Sequence, residues 1–559
     1  MNKLSNPPLN KTNNWLNLDF NERCDKVNPL TDEYSFGDSL WQYPDRKPLE
    51  KQIAQLNHLS KEQVLCTNGG DEAIMILMRI IKEGVSFILP LPAFSQYTWG
   101  IKSWQQDALT IAAKNDLSID VDKIKQTIVN TASAVTVLTR PNNPTGESID
   151  ISLLIELINI SKQNDGWIFL DEAYIEFSNQ ASAANLLLER FDNLVILRTF
   201  SKAYGLAGVR LGYLLGSKRL IKAFRERCMP FNISLPSLRI ATKALQDSYQ
   251  LEMENYCQKI KNNRKILTDW FIDLEIKIFP SQANFLLLKL PEGQAKAVKS
   301  FMKKNKILLR IFDEKELQNC LRITIPFELE RLFFYLQQCF KPKLICMDMD
   351  GVLIDTRGSY DQCILATVEQ LSGKLINLSA LESLRRQGGF NNDWVLSKQL
   401  LDDLDFQFSL EEVTVIFQQL YLGENNDGLV ANESSLITSS LMTIINQSHS
   451  CRFAVVTGRP RLEAKSGQAL INLSRLDLIS LDDVQQGKPS PEGIQRLQQK
   501  YSPQSWMCGD NPDDMQAAVA SNCLAIGIGQ NKIDSLYQAG ADIVLKDINQ
   551  LEKWLCPIK

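Results

Sequence analysis

The sequence predicts an α/β protein in which parallel strands alternate with helices, in two consecutive parts of the chain. Two observations predict this class. Short apolar, β-branched runs recur along the 559 residues, and helical patterns follow them. Clusters rich in Gly, Asn and Asp stand directly after those runs, as ligand sites in open parallel sheets do. We therefore expect the functional residues at the carboxyl ends of strands.

Composition argues against several classes of function. The net charge of −4 and the lack of a basic block argue against a nucleic-acid or membrane partner. No apolar run approaches transmembrane length, and the polar residues 1–15 predict no signal peptide, so we expect a cytoplasmic protein. The 12 cysteines form no C-x-x-C pair, which is typical of reduced thiols. Both histidines lie outside every motif, so Lys and Asp are expected to carry proton transfer.

The central motif of the first part is Thr199–Tyr213, which follows an apolar run that predicts a buried strand. Lys202 in its Gly-flanked turn is expected to be partly desolvated, which lowers the pKa of the amine and favours Schiff-base chemistry. The hydroxyls of Thr199 and Ser201 with the Arg210 guanidinium would form a phosphate clamp. Together they would hold the aldehyde and the phosphate of pyridoxal phosphate. A surface lysine in a Gly-rich loop is the alternative.

Two clusters nearer the start of the chain suit a phosphorylated aromatic ligand. Gly69 and Gly70 precede an apolar helix predicted over Ala73–Ile81, whose N-terminal N–H groups would form an anion site. Phe94 follows the predicted strand Val85–Leu89 and would stack on a cofactor ring. A plain turn and a core phenylalanine are the alternatives.

Two more clusters follow predicted strands. Asn143 lies in N-N-P-T-G, a rigid turn that presents side-chain amides. Asp171 and Tyr174 lie in D-E-A-Y at the end of a buried run. A carboxylate there requires a cationic partner, and a pyridinium nitrogen is one. A structural salt bridge is the alternative.

The order of these motifs resembles that of the fold-type I pyridoxal-phosphate aminotransferases, specifically the histidinol-phosphate aminotransferase branch, over residues 18–340. The resemblance implies a large three-layer α/β/α domain over about 40–220 and a small α+β domain over about 221–340 with the N-terminal arm. It also implies a homodimer that transfers an amino group from glutamate to a phosphorylated 2-oxo compound, as in histidine biosynthesis. Threonine-phosphate decarboxylases are similar too, so decarboxylation is an alternative.

The same resemblance assigns roles to individual residues. Lys202 would be the Schiff-base lysine and proton shuttle, and Asp171 would pair with the ring nitrogen. The other implied cofactor contacts are Asn143 and Tyr174 at the ring oxygen, Phe94 on the ring face, Gly70, Asp71, Glu72, Thr199, Ser201 and Arg210 at the phosphate, and Tyr43 at the phosphate of the neighbouring subunit. Arg310 and Arg322 would bind the carboxylate and phosphate of the substrate.

Two segments depart from the family pattern. Asn21–Cys24 stands where the family has N-E-N-P, and Pro326 stands where it usually has Gly. Both lie near the substrate side of the implied site. The departures therefore concern the identity of the substrate more than the use of the cofactor.

The second part of the chain begins at residue 344 without a Gly/Ser-rich linker. Its first predicted strand ends in D-M-D-G, with Asp348 and Asp350 at i and i+2. Two carboxylates at a strand end can share a divalent cation while one of them attacks a substrate. An acidic turn is the alternative, whereas the spacing does not match a calcium loop.

Three further clusters follow predicted strands or open a helix: T-G-R at Thr457–Arg459, G-K-P-S at Gly487–Ser490 and G-D-N-P-D-D at Gly509–Asp514. They complete a pattern over residues 344–556 that resembles the haloacid-dehalogenase superfamily, with its Rossmann-like core. The resemblance implies that Asp348 attacks phosphorus to form an aspartyl phosphate and that Asp350 serves as acid and base. It implies Mg²⁺ bound by Asp348, the Asp350 carbonyl and Asp510, with Asp514 nearby. Thr457 and Lys488 would hold the transferring oxygens.

Residues 357–450 are rich in helical patterns and include Gly388–Trp394. An insert at this place resembles a helical cap, which suggests a small substrate sealed from water. The histidinol-phosphate phosphatases of this superfamily are essentially capless, so the substrate stays open. The second aspartate of the first motif favours a phosphatase over a dehalogenase, and a phosphomutase is an alternative.

Two complete sets of motifs on one chain predict a bifunctional enzyme that acts on small phosphorylated substrates with an amino-acid donor. The alternatives are a first half that only senses a ligand, and one inactive half.

Overall fold

The computed structural model describes residues 16–21, 43–81, 85–105, 107–387, 392–424, 427–529 and 532–555. Of the segment Asn21–Cys24, only the first residue lies within the described part, and residues 388–391 of the segment Gly388–Trp394 lie outside it. The chain forms two compact units. The first unit comprises Met1–Leu290 and Lys306–Leu329, and the second comprises Pro291–Asn305 and Glu330–Lys559.

Strands and helices alternate through the first part of the chain. The strands are β1 (Leu16–Asn17), β2 (Val64–Thr67), β3 (Phe87–Pro90), β4 (Ala108–Ile111), β5 (Val135–Thr139), β6 (Trp167–Asp171), β7 (Leu194–Thr199), β8 (Gly212–Gly216), β9 (Lys277–Phe279), β10 (Phe285–Lys289), β11 (Ile307–Leu308), β12 (Arg310–Ile311) and β13 (Cys320–Thr324). The helices are α1 (Lys47–Leu56), α2 (Gly69–Ile81), α3 (Ser95–Ser103), α4 (Val121–Val129), α5 (Ile151–Gln163), α6 (Ala183–Leu187), α7 (Lys218–Glu226), α8 (Leu235–Ala244), α9 (Asp247–Asp273) and α10 (Gln294–Lys304).

A seven-stranded sheet in the order β2-β8-β7-β6-β5-β3-β4 forms the centre of the first unit. Strand β8 is antiparallel to both neighbours, and the other neighbouring strands pair in parallel. Successive residues of β6 point to opposite faces, since Ile168 and Leu170 join one apolar cluster and Phe169 joins another. Helix α5 packs into the first cluster and α2 into the second. This arrangement is the expected three-layer α/β/α architecture.

A second, antiparallel sheet in the order β12-β13-β10-β9 also belongs to the first unit, and β1 pairs with β11 beside it. The strands predicted from apolar runs are present with ends shifted by one or two residues. Helix α2 begins at Gly69 and not at Ala73, because Gly69 adopts a φ of +72° and the acidic residues Asp71 and Glu72 occupy the first turn.

The second unit contains most of the remaining elements. Its strands are β14 (Leu344–Met347), β15 (Ile354–Asp355), β16 (Ser434–Ser435), β17 (Arg452–Val456), β18 (Asp477–Ile479), β19 (Ser505–Gly509), β20 (Leu524–Ile528) and β21 (Ile543–Leu545). The later helices are α11 (Glu330–Phe340), α12 (Tyr360–Ser372), α13 (Leu378–Gln387), α14 (Asp393–Asp402), α15 (Leu410–Leu422), α16 (Ser439–Gln447), α17 (Arg461–Leu470), α18 (Glu492–Lys500), α19 (Pro512–Ala520), α20 (Ile533–Gln538) and α21 (Glu552–Leu555).

Six parallel strands form the sheet of the second unit, in the order β18-β17-β14-β19-β20-β21. The order of the strands along the sheet reverses between β14 and β19. Ligands bind at such a reversal, beyond the carboxyl ends of the two strands. Asp348 follows β14 and Asp510 follows β19, so the topology brings the first and last predicted motifs together.

A helical cap is inserted between the two strands of a short antiparallel ribbon, β15 and β16. Helices α12 to α15 lie between these strands and share an apolar cluster that includes Ile364, Leu400 and Phe417. Helix α16 follows the ribbon and contacts α21 of the core. The cap therefore spans residues 356–433 and ends earlier than the predicted 357–450.

Helices α10 and α11 belong to the second unit, although the predicted boundary placed them before it. Ser300 donates to the carboxylate of Asp542 over 2.8 Å, and Lys304 forms an ion pair with the same group at 2.7 Å. The indole of Trp506 donates to the carbonyl of Gln338 over 2.7 Å. These contacts tie both helices to the six-stranded sheet.

The part of the chain that the structure describes contains no helix long and apolar enough to cross a membrane. Its ten cysteines are free, and Cys228 is the one among them that is not fully buried. Burial raises the pKa of the Cys346 and Cys508 thiols, which keeps them protonated and unreactive. These cysteines act as core residues, as their scattered spacing predicted.

Candidate active sites

Lys202 lies in the turn between β7 and β8, at the carboxyl edge of the seven-stranded sheet. Its Nζ donates to the backbone carbonyl of Phe20 over 3.0 Å and lies 5.8 Å from the centre of the Tyr174 ring. The side chain is half-buried. The amine therefore faces the residues that follow β6, as the sequence predicted.

Asp171 is the last residue of β6 and is buried. Its Oδ2 accepts a hydrogen bond of 2.8 Å from the Tyr97 hydroxyl, and its Oδ1 accepts one of 2.9 Å from the Ala173 N–H. Burial raises the pKa of this carboxyl to about 6, and both of these hydrogen-bond donors are neutral. A buried carboxylate with neutral donors alone fits a cationic ring nitrogen. Pyridoxal phosphate would complete the charge balance here.

A hydrogen-bonded chain connects Tyr174 to Arg322. The Asn143 amide donates to the Tyr174 hydroxyl over 3.3 Å, and Arg322 Nη1 donates to Asn143 Oδ1 over 2.6 Å. Arg322 Nη2 donates to the carbonyl of Asp19 over 2.6 Å. The Nε of Arg322 is buried without a partner among the described residues, and burial lowers the pKa of the guanidinium to about 10. A buried cation with a spare donor suits an anionic group of a substrate.

Arg310 lies directly opposite Arg322 in the ladder between β12 and β13. It is exposed, and its guanidinium lies 6.0 Å from the ring centre of Phe312. Each of the two positive charges disfavours the other, so an anion between them would be stabilised by both. The structure thus brings together the two arginines predicted to bind the substrate.

The predicted phosphate clamp gathers at the N-terminus of α2. Thr199 Oγ1 donates to Ser201 Oγ over 3.0 Å, and Arg210 forms an ion pair with Asp71 at 2.7 Å. A Cβ at Gly69 would lie 2.7 Å from Arg210 Nη2, so only glycine leaves room for the guanidinium. Free N–H groups, two hydroxyls and an arginine fit the phosphate of the cofactor.

Gly70 and Glu72 lie beside this clamp, in the first turn of α2. The Glu72 carboxylate accepts hydrogen bonds of 2.5 Å from the Asn68 N–H and 2.6 Å from the Asn232 amide. Glu72 therefore stabilises the start of the helix and the loop beside it.

The two predicted aromatic contacts differ in burial. Phe94 directly precedes α3, is half-buried and meets Tyr97 edge to face at 6.4 Å. Tyr43 is 80% exposed and stacks on Phe231 with ring centres 4.5 Å apart. Phe94 lies within the cluster around Asp171, whereas Tyr43 lies on the surface of the chain.

Sequence reasoning missed Tyr97 as a site residue and placed Asn21 only within a segment near the substrate side. Tyr97 lies in α3, three residues after Phe94 at the start of that helix, and the two rings meet edge to face. Asn21 is buried, and its amide donates to the Tyr174 hydroxyl over 3.1 Å. Spacing was a usable signal for Tyr97, whereas Asn21 reaches the site through a long-range contact.

In the second unit, three carboxylates meet beyond β14 and β19. Oxygen atoms of Asp348, Asp510 and Asp514 lie within 4.8 Å of one another. Asp348 and Asp514 are buried, and Asp510 is partly exposed. Clustered carboxylate oxygens are the ligands that Mg²⁺ prefers, so the donor set fits this ion.

Lys488 lies between two of these carboxylates. Its Nζ is 2.7 Å from Asp348 Oδ1 and 2.5 Å from Asp514 Oδ1, and it also donates to the Val456 carbonyl over 3.1 Å. Burial opposes the charge of Lys488, but the two carboxylates raise the pKa of its ammonium. Burial raises the pKa of Asp348, and Lys488 counteracts this effect. The ammonium thus neutralises the buried acids from within the protein.

Asp350 points away from that cluster and toward Arg459. Its Oδ1 accepts hydrogen bonds of 2.8 Å from Arg459 Nε and 2.6 Å from Nη2. The same guanidinium forms an ion pair at 2.8 Å with Glu433, at the end of the cap, and Glu433 accepts 2.9 Å from the hydroxyl of Tyr421 in α15. Arg459 thereby links the first motif, the second motif and the cap.

Thr457 and Lys532 flank the same region. Thr457 is buried, and its hydroxyl oxygen accepts a hydrogen bond of 3.2 Å from the Arg459 N–H. Lys532 forms an ion pair with Asp510 at 2.9 Å. Sequence reasoning missed Lys532 and Arg459, although Arg459 ends the T-G-R motif.

A cleft opens beside Asp350, between the sheet edge and the cap. Its charged and aromatic lining consists of Asp350, Tyr360, Asp393, Trp394, Arg459 and Glu463. Tyr360 and Trp394 come from cap helices α12 and α14, and Glu463 comes from core helix α17. The cap therefore contributes directly to the wall of the site.

Comparisons with known proteins agree with this division. Residues 17–332 match the sequence model of aminotransferase class I and II, and residues 342–522 match that of haloacid dehalogenase-like hydrolase. Histidinol-phosphate aminotransferase 1 of Haemophilus influenzae is 32% identical over 305 residues, covering 53% of this chain and 82% of that protein. The histidinol-phosphate aminotransferase of Pectobacterium carotovorum is 33% identical over 307 residues, covering 54% and 85%.

Solved structures share the fold of the first half. The crystal structure of the histidinol-phosphate aminotransferase from Clostridium acetobutylicum aligns with a TM-score of 0.52 and 22% identity, covering 57% of this chain and 97% of that one. The enzyme from Sinorhizobium meliloti, in complex with pyridoxal-5'-phosphate, aligns with a TM-score of 0.51 and 22% identity, covering 57% and 89%.

Proposed function

The chain belongs to the aminotransferase class I and II family and carries a second, haloacid dehalogenase-like hydrolase domain, and on this premise we propose a bifunctional enzyme. The first half transfers an amino group from glutamate to a phosphorylated 2-oxo compound. The second half hydrolyses a phosphate monoester through an aspartyl phosphate and depends on Mg²⁺. One observation carries the proposal: each half brings a complete set of catalytic groups together at the carboxyl edge of its sheet.

In the first half, the amine of Lys202 carries the proton to and from the reacting carbon of the substrate. The amine faces the ring of Tyr174 at 5.8 Å. Arg322 and Arg310 bind the anionic groups of the substrate. Asn143 accepts a hydrogen bond from Arg322 and donates one to Tyr174, so it positions these two side chains relative to each other. Pyridoxal phosphate, when bound, supplies the electron sink for charge at that carbon.

Asp171, oriented by the hydroxyl of Tyr97, would pair with the protonated ring nitrogen of the cofactor. Thr199, Ser201, Arg210 and the first turn of α2 bind the cofactor phosphate. Phe94 excludes water from the ring face. Pairing with the ring nitrogen accounts for the buried carboxylate of Asp171, whose hydrogen-bond donors are neutral.

In the second half, Asp348 attacks the phosphorus atom, so that a bond forms between its Oδ and phosphorus while the bond to the alcohol oxygen breaks. Asp350 gives a proton to the leaving alkoxide and later accepts one from the water that attacks the aspartyl phosphate. Lys488 and Thr457 hold the transferring oxygens. Mg²⁺, when bound by Asp348, Asp510 and Asp514 with the Asp350 carbonyl, neutralises charge on the phosphate.

Two variants test the proposal, each serving as the control of the other. Lys202→Ala should lower amino transfer from glutamate at least about thousandfold and leave phosphate release intact, because the two sets of residues are separate. Asp348→Asn should have the opposite effect. Both rates are measured on each protein: amino transfer by phosphorus NMR with imidazole-acetol phosphate as acceptor, and phosphate release with p-nitrophenyl phosphate as the ester.

Survival of both activities in either variant would refute the assignment. Release of CO₂ from phosphothreonine without an amino acceptor would show that the first half catalyses decarboxylation and not amino transfer. Transfer of the phosphate to a sugar phosphate, without release of inorganic phosphate, would show that the second half catalyses a mutase reaction and not hydrolysis.

A further inference from the structure

We infer that the cleft beside Asp350 selects the phosphate monoester of an amino alcohol, whose ammonium group is bound by Glu463. The inference rests on the proposed phosphatase activity and names the substrate class of that site. It follows from the position and the charge of the cleft.

The cleft lies where the leaving alcohol must lie. Asp350 lines it and is the group that protonates the alcohol oxygen, whereas Lys488 and Asp348 bind the phosphoryl group at the sheet edge. The phosphate and the alcohol of one ester therefore face different surroundings. The lining of the cleft decides which alcohols are accepted.

The lining carries more negative than positive charge. Asp350 and Glu463 contribute carboxylates, and Arg459 contributes the one guanidinium among the described lining residues. Both Asp350 and Glu433 already bind that guanidinium, so it offers little to a second anion. The cleft therefore favours a cationic alcohol over an anionic one.

Glu463 is the carboxylate best placed to select a cation. Its Oε1 accepts a hydrogen bond of 2.8 Å from the Gln418 amide, and its Oε2 accepts one from the Tyr360 hydroxyl. Both donors are neutral, so they orient the carboxylate without neutralising it. An ammonium group in the cleft would supply the charge that these donors do not.

The aromatic surface of the cleft restricts the alcohol further. The face of Tyr360 is covered by Arg459, whose guanidinium lies 4.8 Å from the ring centre, so Trp394 is the aromatic surface left for the substrate. A cationic or aromatic alcohol suits this wall.

The chemistry of the first half supplies a substrate of this class. Amino transfer to a phosphorylated carbonyl compound converts the carbonyl carbon into one that bears an amine, which is protonated near neutral pH. Its product thus carries a phosphate ester and an ammonium group on one small molecule. The reaction that must precede the phosphatase is the amination of a phosphorylated carbonyl compound.

A matched pair of esters tests the inference on the full chain with saturating Mg²⁺. In n-propyl phosphate a methyl group replaces the ammonium group of 2-aminoethyl phosphate, so the two differ in charge and hardly in size. We expect kcat/KM for the amino ester to be at least about tenfold higher, with the ratio falling as NaCl is raised. Glu463→Gln should bring that ratio close to one.

Glu411→Gln is the control, because it removes one exposed carboxylate from the start of α15, outside the cleft lining. It should leave the ratio of the two esters unchanged. Circular dichroism melting of each variant shows whether the fold is retained.

The outcomes separate the inference from the proposed function. If the wild-type protein hydrolyses p-nitrophenyl phosphate but treats both esters equally, or prefers the propyl ester, only the inference is overturned. If Glu463→Gln folds and keeps the full preference for the amino ester, the inference is overturned as well. If the wild-type protein hydrolyses none of the three esters, the phosphatase assignment itself is wrong and the inference falls with it.

Discussion

The two active sites differ in the partners that their buried carboxylates have. In the first unit, the carboxylate of Asp171 is buried with two neutral donors, the Tyr97 hydroxyl and the Ala173 N–H. In the second unit, Asp348 and Asp514 share the ammonium of Lys488 at 2.7 and 2.5 Å. The hydrogen-bond donors of Asp171 are therefore neutral, whereas the buried acids of the second site bind an ammonium group.

This difference indicates how each site reaches charge balance. A buried carboxylate without a cation is costly, so the first site is complete only with a cationic ligand such as the cofactor ring. A buried carboxylate with a bonded ammonium is balanced before any ligand arrives. We therefore expect the first site to depend on its cofactor for local stability, and the second to depend on Lys488.

The largest expected effect comes from removing the internal cation. Lys488→Met should lower phosphate hydrolysis at least about a thousandfold, because it removes a group that holds the transferring oxygens. It should also destabilise the second unit by about 3–5 kcal/mol, since two buried carboxylates lose their partner. Steady-state release of inorganic phosphate and urea unfolding measure the two effects.

Lys532→Met is the matched control, because Lys532 pairs with the partly exposed Asp510. Its loss should change the free energy of unfolding by less than about 1 kcal/mol. Equal destabilisation by the two substitutions would contradict the claim that Lys488 provides the internal charge balance.

The next effect concerns the carboxylate without a cation. Burial raises the pKa of Asp171 from 3.8 to about 6, so the cofactor-free fold carries no penalty at low pH and acquires one as the pH rises through about 6. Asp171→Asn removes that penalty. In the cofactor-free protein, the variant should become more stable than the wild type by up to about 3 kcal/mol between pH 4 and pH 7.

Urea unfolding at several pH values measures this difference, with Asp122→Asn as the control for an exposed carboxylate. The control should show no trend over the same range. With pyridoxal phosphate bound, the advantage of Asp171→Asn should disappear, because the ring nitrogen then pairs with the wild-type carboxylate. An advantage that persists with cofactor would argue against this pairing.

The smallest effect separates the two arginines of the substrate side. Arg322 is buried and bonded to Asn143, whereas Arg310 is exposed. Arg322→Lys should lower kcat/KM for the phosphorylated substrate about a hundredfold, because one ammonium cannot replace two directed donors. Arg310→Lys should cost less than about tenfold. A larger loss at Arg310 would assign the main anion contact to the exposed residue.

Much of both sites could be predicted from local patterns. Lys202, Asp171 and Asp348 each stand directly after an apolar run, and β7, β6 and β14 end at or beside these residues. Parallel strands bring their carboxyl ends to one edge, so residues far apart in the chain meet there. Local spacing was therefore sufficient to predict which residues stand at these edges.

Contacts between distant residues could not be predicted in this way. Arg459 was visible in its motif, but its bonds to Asp350 and Glu433 depend on how the cap packs against the core. Tyr97 and Asn21 reach Asp171 and Tyr174 for the same reason. A long side chain can reach several partners, and only packing selects one.

The sequence by itself determined the class of fold, the order of the motifs and the residues that stand at the ends of strands, because apolar periodicity and turn residues act over short distances. The tertiary structure decided the extent of the cap, the membership of α10 and α11 in the second unit and the charge partners in each site. These features depend on contacts between segments distant in the chain. Such contacts form when burial brings the segments together, and no local pattern specifies them.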